Sequence, residues 1–200
     1  MIMLCLVMLC LGCLTFAAEK SDGGERRGDE NRRIFADPEN DPVFQALAAL
    51  TDAKLQDEIE EAMEAFFSSR FTEASSRVTA IMEKHSESTI GNTLYNFLLL
   101  MNGTALGFSG KCKQAVETLD ELIARIGEGD DAEAIDNLAG VMDLKIDVLE
   151  ENGDSVAALA EIDRLIDRFG DSPLPSVQWR VKRAMQRKTL LLKESGNNEK

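Results

Sequence analysis

The sequence predicts an all-α fold: an α-α superhelix of about three helical hairpins with a C-terminal capping helix. Three observations predict it. Gly153–Ser172, a turn followed by an amphipathic segment, has diverged copies at Gly110–Gly129 and Ser69–Ser88. Aligned, the copies place Ala74, Ala115 and Ala158 in one column. Val78, Leu119 and Ile162 follow four residues on, then Ile81, Leu122 and Leu165 at seven and Met82, Ile123 and Ile166 at eight. Those offsets mark one stripe of a 3.6-residue helix, which must be buried against a neighbour. The turn residues Ser69, Gly110 and Gly153 stand 41 and 43 residues apart. That period belongs to helical solenoids, in which each unit buries its apolar face only by stacking on the next.

Taken in order, the chain begins with MIMLCLVMLCLGCLTFAA, an apolar run without a charge. Small residues at Thr15 and Ala17 suit a signal peptidase, so residues 1–17 are expected to be a cleaved signal peptide and the protein to be exported, periplasmic or secreted. The alternative is a lipoprotein signal, with Cys13 after Gly12 as the lipidated residue and a membrane-anchored chain. Three of the four cysteines lie in this run, so the mature chain keeps only Cys112 and has no intrachain disulfide.

Residues 18–41 are rich in charge, Gly and Asn and nearly devoid of apolar side chains. They are expected to form a disordered linker, because nothing there offsets the entropy of ordering. Arg26-Arg27 and Arg32-Arg33 are interleaved with acids and read as solvated tether.

A helical repeat domain is expected over 42–194, and a 200-residue chain with 44% hydrophobic content suffices for one core. Asp41-Pro42 starts a short leading helix, with an N-cap followed by proline at the first helical position. The first hairpin begins at Thr51 or Asp52 and turns at Ser68-Ser69-Arg70. The first helix of the second, about Thr89–Phe108, contains LYNFLLLM; burial in the middle unit accounts for that composition. Asn96, Asn102 and Gly103 interrupt it too often for a membrane span. The third hairpin opens with a helix over about Asp131–Glu151, whose acids Asp136, Asp143, Asp147 and Glu150 share one face. A last helix from Ser176 carries Arg180, Lys182, Arg183, Arg187, Lys188 and Lys193 with no acid between 177 and 193. Residues 195–200 are expected to be a flexible tail.

These residues resemble the tetratricopeptide repeat family, of the exported bacterial type. Its second helix follows a Gly-Asp or Gly-Lys turn with an alanine five residues on, and Gly153–Ala158 and Gly110–Ala115 match that. The family's small residue seven positions before the turn is matched by Ala62 and Gly103. Ile146 stands there in the third copy, Gly170 replaces the usual proline after Phe169, and the period exceeds the family's 34 residues by roughly two helical turns. The resemblance covers about residues 52–194. It implies a right-handed superhelix whose first helices line a concave groove for a partner segment.

Carried over, the groove positions are Gln56, Ile59 and Met63, then Phe97, Leu100 and Thr104, then Gly140, Asp143 and Asp147. The expected partner-binding residues are Met63, Phe97, Thr104, Asp143 and Asp147, apolar at one end and acidic at the other. The implied function is a protein–protein interaction or scaffold module of the cell envelope, taking a basic and apolar protein segment. An accessory small-molecule or glycan-binding subunit using the same groove is the alternative.

No enzyme, cofactor or metal is expected. The single histidine, His85, lacks co-ligands at metal spacing, and no Ser-His-Asp, Walker, zinc or dinucleotide pattern occurs. Nucleic acid is disfavoured because the chain carries a net charge of −14, which repels phosphate despite the basic last helix.

Overall fold

The computed structural model describes residues 41–127 and 129–197. The expected signal peptide, Cys13 and almost all of the linker lie outside the described residues. Those described are all-helical, with no strand. In chain order the helices are α1 (Pro42–Ala48), α2 (Ala53–Phe67), α3 (Phe71–Lys84), α4 (Glu87–Ile90), α5 (Asn92–Phe108), α6 (Cys112–Ile126), α7 (Ala132–Glu151), α8 (Ser155–Phe169) and α9 (Pro175–Asn197). None is long and apolar enough to cross a membrane. Two compact units are present, one reaching to Asn102 and one starting at Gly103.

Helix starts follow the capping chemistry of the sequence. Asp41, Asp52 and Asp131 each accept hydrogen bonds on Oδ1 from the second and third backbone N–H groups of the helix that follows, satisfying donors that have no intrahelical partner. The three turns between hairpin helices are built alike. Ser69, Gly110 and Gly153 have φ of 58°, 73° and 75°. The next residue in each case, Arg70, Lys111 or Asp154, donates its N–H to the carbonyl of Ala65, Leu106 or Leu149 at 2.8–2.9 Å. This is the Schellman closure, which needs a left-handed residue just past the helix end. One boundary differs from expectation: the helix foreseen over Thr89–Phe108 is broken into α4 and α5 at Gly91, whose φ of 87° cannot continue a helix.

In the first unit, α2 packs on α3 and buries Leu55, Ile59, Ala62 and Phe66 together with Ala74, Val78 and Ile81. Their outer edges carry Arg77 between Glu61 and Glu73 and Lys84 on Glu58. His85 ends α3, with Nε2 at 3.6 Å from Glu58.

In the second unit, α7 packs against α6, α8 and α9, and α8 against α9. One core runs through Leu138, Met142 and Ile146 of α7, Ile162, Leu165 and Phe169 of α8, and Val177, Val181 and Ala184 of α9. The alanine that opens each second helix, Ala74, Ala115 or Ala158, is fully buried. Gly103 in α5 serves the same close approach: a Cβ there would lie 2.8 Å from Leu119 Cδ2 and 2.9 Å from its Cγ. Helix α9 runs to Asn197, three residues past the expected domain end.

Candidate functional site

Helix α7 is buried on every side from Leu138 to Leu149, yet this stretch holds Asp143, Lys145 and Asp147. Burying an unpaired charge is prohibitive, so each must be met from a neighbouring helix. Lys145 Nζ reaches Asp120 of α6 at 2.6 Å and Glu161 of α8 at 3.0 Å, and Arg164 donates to the same Glu161 oxygen at 2.9 Å. The acids are met from α9. Arg183 forks onto Asp143 Oδ2 at 2.6 Å and Asp147 Oδ1 at 2.8 Å. Arg187 bonds Asp147 Oδ1 at 2.6 Å, lies 3.4 Å from Asp143 Oδ1, and grips both oxygens of Glu150 at 2.7 and 2.9 Å. One turn and more upstream, the wholly buried Arg180 donates to Asp136 at 3.2 Å and to the Ser176 carbonyl at 3.1 Å.

The pairs form a ladder in which residue numbers rise together: 136 with 180, 143 with 183, and 147 and 150 with 187. Helices α7 and α9 therefore run parallel, as two helices joined through one antiparallel helix must. Spacing makes the ladder possible. Acids at offsets 0, 7, 11 and 14 form one stripe on α7, and Arg180, Arg183 and Arg187 form another on α9. Planar guanidinium forks match carboxylates two bonds at a time, which an ammonium does not.

Burial still dominates the proton affinity of the two inner acids. It raises Asp143 against the pull of Arg183, Arg187 and Arg180. Burial and the adjoining Asp143 carboxylate push Asp147 up to about 6 from 3.8, again against Arg183 and Arg187. Burial works against the Arg187 charge, but the Glu150 bond and the charges of Asp147, Glu150 and Asp143 outweigh it and raise that group.

Above the ladder lies an exposed aromatic. The Trp179 ring is 45% exposed, and the Arg183 guanidinium carbon sits 5.8 Å from its centroid. Arg183 is thus held on one side by two buried carboxylates and covers the tryptophan with the other, a cation–π contact. The outward face of α9 further exposes Met185, Leu190 and Leu192.

The five residues expected to contact a partner are all buried. Met63 lies in α2 and Phe97 in α5 of the first unit; Thr104, Asp143 and Asp147 lie in the second. Asp143 and Asp147 are brought together, by Arg183. They face the interior, because α9 neutralises the charges that were expected to recruit a basic segment. Trp179, Arg183 and Arg187 were absent from the expected contact set. The signal for the two arginines was present in the acidic stripe of α7 and the basic stripe of α9; nothing comparable pointed to Trp179.

Two other features carry less chemistry. An open cleft of about 270 Å³ in the first unit, lined by Ala46, Leu50, Thr89, Ile90, Asn92 and Leu94 among others, has no charged side chain to orient a ligand. Cys112 is half-buried with Sγ 4.0 Å from the Val148 carbonyl, and burial together with Asp154 raises its thiol, opposite to an activated nucleophile. Among the described residues no group of three or more His, Cys, Asp or Glu could hold a metal ion. No family model matches the chain, and no curated protein or solved structure matches it.

Proposed function

We propose that the chain is a non-enzymatic protein-interaction module of tetratricopeptide-like hairpins, acting as an exported scaffold at the cell envelope. The observation that carries this reading is the preorganised tryptophan of α9. Trp179 is exposed but fixed: Arg183 lies over it, and Asp143 and Asp147 hold Arg183 from beneath. Tryptophan and arginine dominate the binding energy of protein interfaces. A ring ordered before binding loses little entropy when a partner covers it. The three like-built turns support the repeat reading, since stacked hairpins serve mainly to display surface. The non-enzymatic reading is supported by the buried acids. Asp143, Asp147 and Glu161 are each engaged by cations from within the fold, which leaves none of them poised toward a substrate.

Site-specific photo-crosslinking in cells that export the full chain tests the proposal. A benzoylphenylalanine at position 179 should yield a discrete protein adduct. The same probe at Val156, which is far more exposed but on α8, should not. No adduct at 179, or the same adducts from both positions, would refute it.

A further inference from the structure

We infer that the outward face of α9 receives an acidic amphipathic helix of a partner protein, laid along α9; this rests on the interaction-module reading and names the partner class. Helix α9 packs inward on α8 and α7 through Val177, Val181 and Ala184. Its opposite side is organised in three lines. Trp179 and Leu190 stand eleven residues apart, about three turns, and so lie on one line. Lys182 and Lys193 have the same separation and form a second line. Met185 and Leu192, two turns apart, form the third. Leu190 is 59%, Met185 47% and Leu192 53% exposed. At about 100° per residue the lysine line falls between the two apolar lines.

Charge decides the partner. Arg180, Arg183 and Arg187 are spent on α7, and Lys188 is spent on Asp163 of α8. Among the described residues Lys182 and Lys193 have no ion pair, and no acid shares the stretch between Val177 and Lys193. The face therefore offers two unneutralised cations flanked by apolar rails. A helix with acids along its centre and apolar residues on both sides is its complement, reading both features at once. An anionic bilayer fits less well. An interfacial helix needs an apolar centre with cations at the borders, and α9 has the reverse order.

The chain contains one tryptophan, so Trp179 is a built-in reporter. The experiment selects binders from a display library of tryptophan-free random helical peptides long enough to follow about five turns, with the full chain as bait. Enriched peptides should carry Asp or Glu at helical spacing between apolar residues. A synthetic copy of one should shift Trp179 emission to shorter wavelength on binding. Lys182→Glu with Lys193→Glu should weaken its binding at least about tenfold, since two attractive pairs become repulsive. Leu190→Gln should weaken it as well, without altering the circular dichroism of the chain.

Enrichment of basic peptides, or no enrichment, overturns the inference. So does a shift of Trp179 emission with vesicles of phosphatidylglycerol and phosphatidylcholine but not with the peptide, which would assign the face to a membrane. A dimer of the wild-type chain that the double lysine variant abolishes would assign it to a second copy. If the crosslink at position 179 forms while the peptides selected are not acidic, the interaction-module reading stands and only the partner class fails. If neither appears, both fail.

Discussion

Arg183 of the last helix bonds the wholly buried Asp143 of α7 at 2.6 Å, and the same guanidinium covers Trp179. One side chain therefore links an interior charge to the exposed aromatic of α9.

Asp143→Ala should destabilise the second unit by about 3 kcal/mol, because Arg183 and Arg187 lose a buried counter-charge. Asp143→Asn should cost less, since its side-chain oxygen still accepts from Arg183. Urea unfolding followed by circular dichroism measures both; equal, negligible effects would mean the ladder contributes nothing.

Arg183→Ala should move Trp179 emission to longer wavelength, because the ring loses the guanidinium above it and meets water. Emission unchanged from wild type would mean that Arg183 does not order the ring.

Asp147 makes stability depend on pH in a defined sense. The folded chain holds this proton to about pH 6, whereas the ordinary carboxyl releases it near 3.8. A group whose folded pKa is raised stabilises fully at low pH, and that contribution disappears as pH rises through the folded value. Asp147→Asn should therefore flatten the decline in stability between about pH 4 and pH 6 relative to wild type. The difference approaches about 3 kcal/mol at most, at roughly 1.4 kcal/mol per unit. A variant and a wild type with parallel pH profiles would rule out the raised proton affinity.

Ser69→Gly should stabilise the first hairpin by about 1 kcal/mol. Ser69 occupies a left-handed position, φ 58°, that Gly110 and Gly153 fill in the other two turns, and side chains are strained there. The reciprocal change, Gly153→Ala, should cost a similar amount. Thermal unfolding of the two variants, shifting in opposite directions, is the expected result.

Gly103→Val should destabilise by about 2 kcal/mol or more. Even a Cβ meets Leu119 at 2.8 Å, and overpacking at a helix contact forces side chains off their rotamers. The compensating pair Gly103→Val with Leu119→Ala should recover part of the loss, which a purely local helix-propensity effect would not do.

The hairpins were legible because they rest on local chemistry. Aspartate caps at 41, 52 and 131, left-handed turns at Gly110 and Gly153, and stripes with helical period all act within a few residues, so they can be read along a chain. Ser69 was readable only by alignment with its glycine counterparts. The break at Gly91 was not foreseen, because the apolar pattern from Leu94 onward reads the same whether the helix starts before Gly91 or after it.

The helical segments, the turns at Ser69, Gly110 and Gly153, and the inward stripe of each second helix follow from local sequence, whereas the first-helix positions expected to face a partner, Met63, Phe97 and Thr104 among them, are buried. The sequence also contained both charge stripes, on α7 and on α9. That these stripes face one another is a property of the packed fold. Coulomb attraction between Asp143 and Arg183 acts across 40 residues of chain, and it depends on α8 returning antiparallel so that α7 and α9 come to lie parallel in register. That placement turns Asp143 and Asp147 into interior groups and leaves Asp136 and Glu150 half-buried at the edge of the same contact. It leaves Trp179, Lys182 and Lys193 exposed on α9.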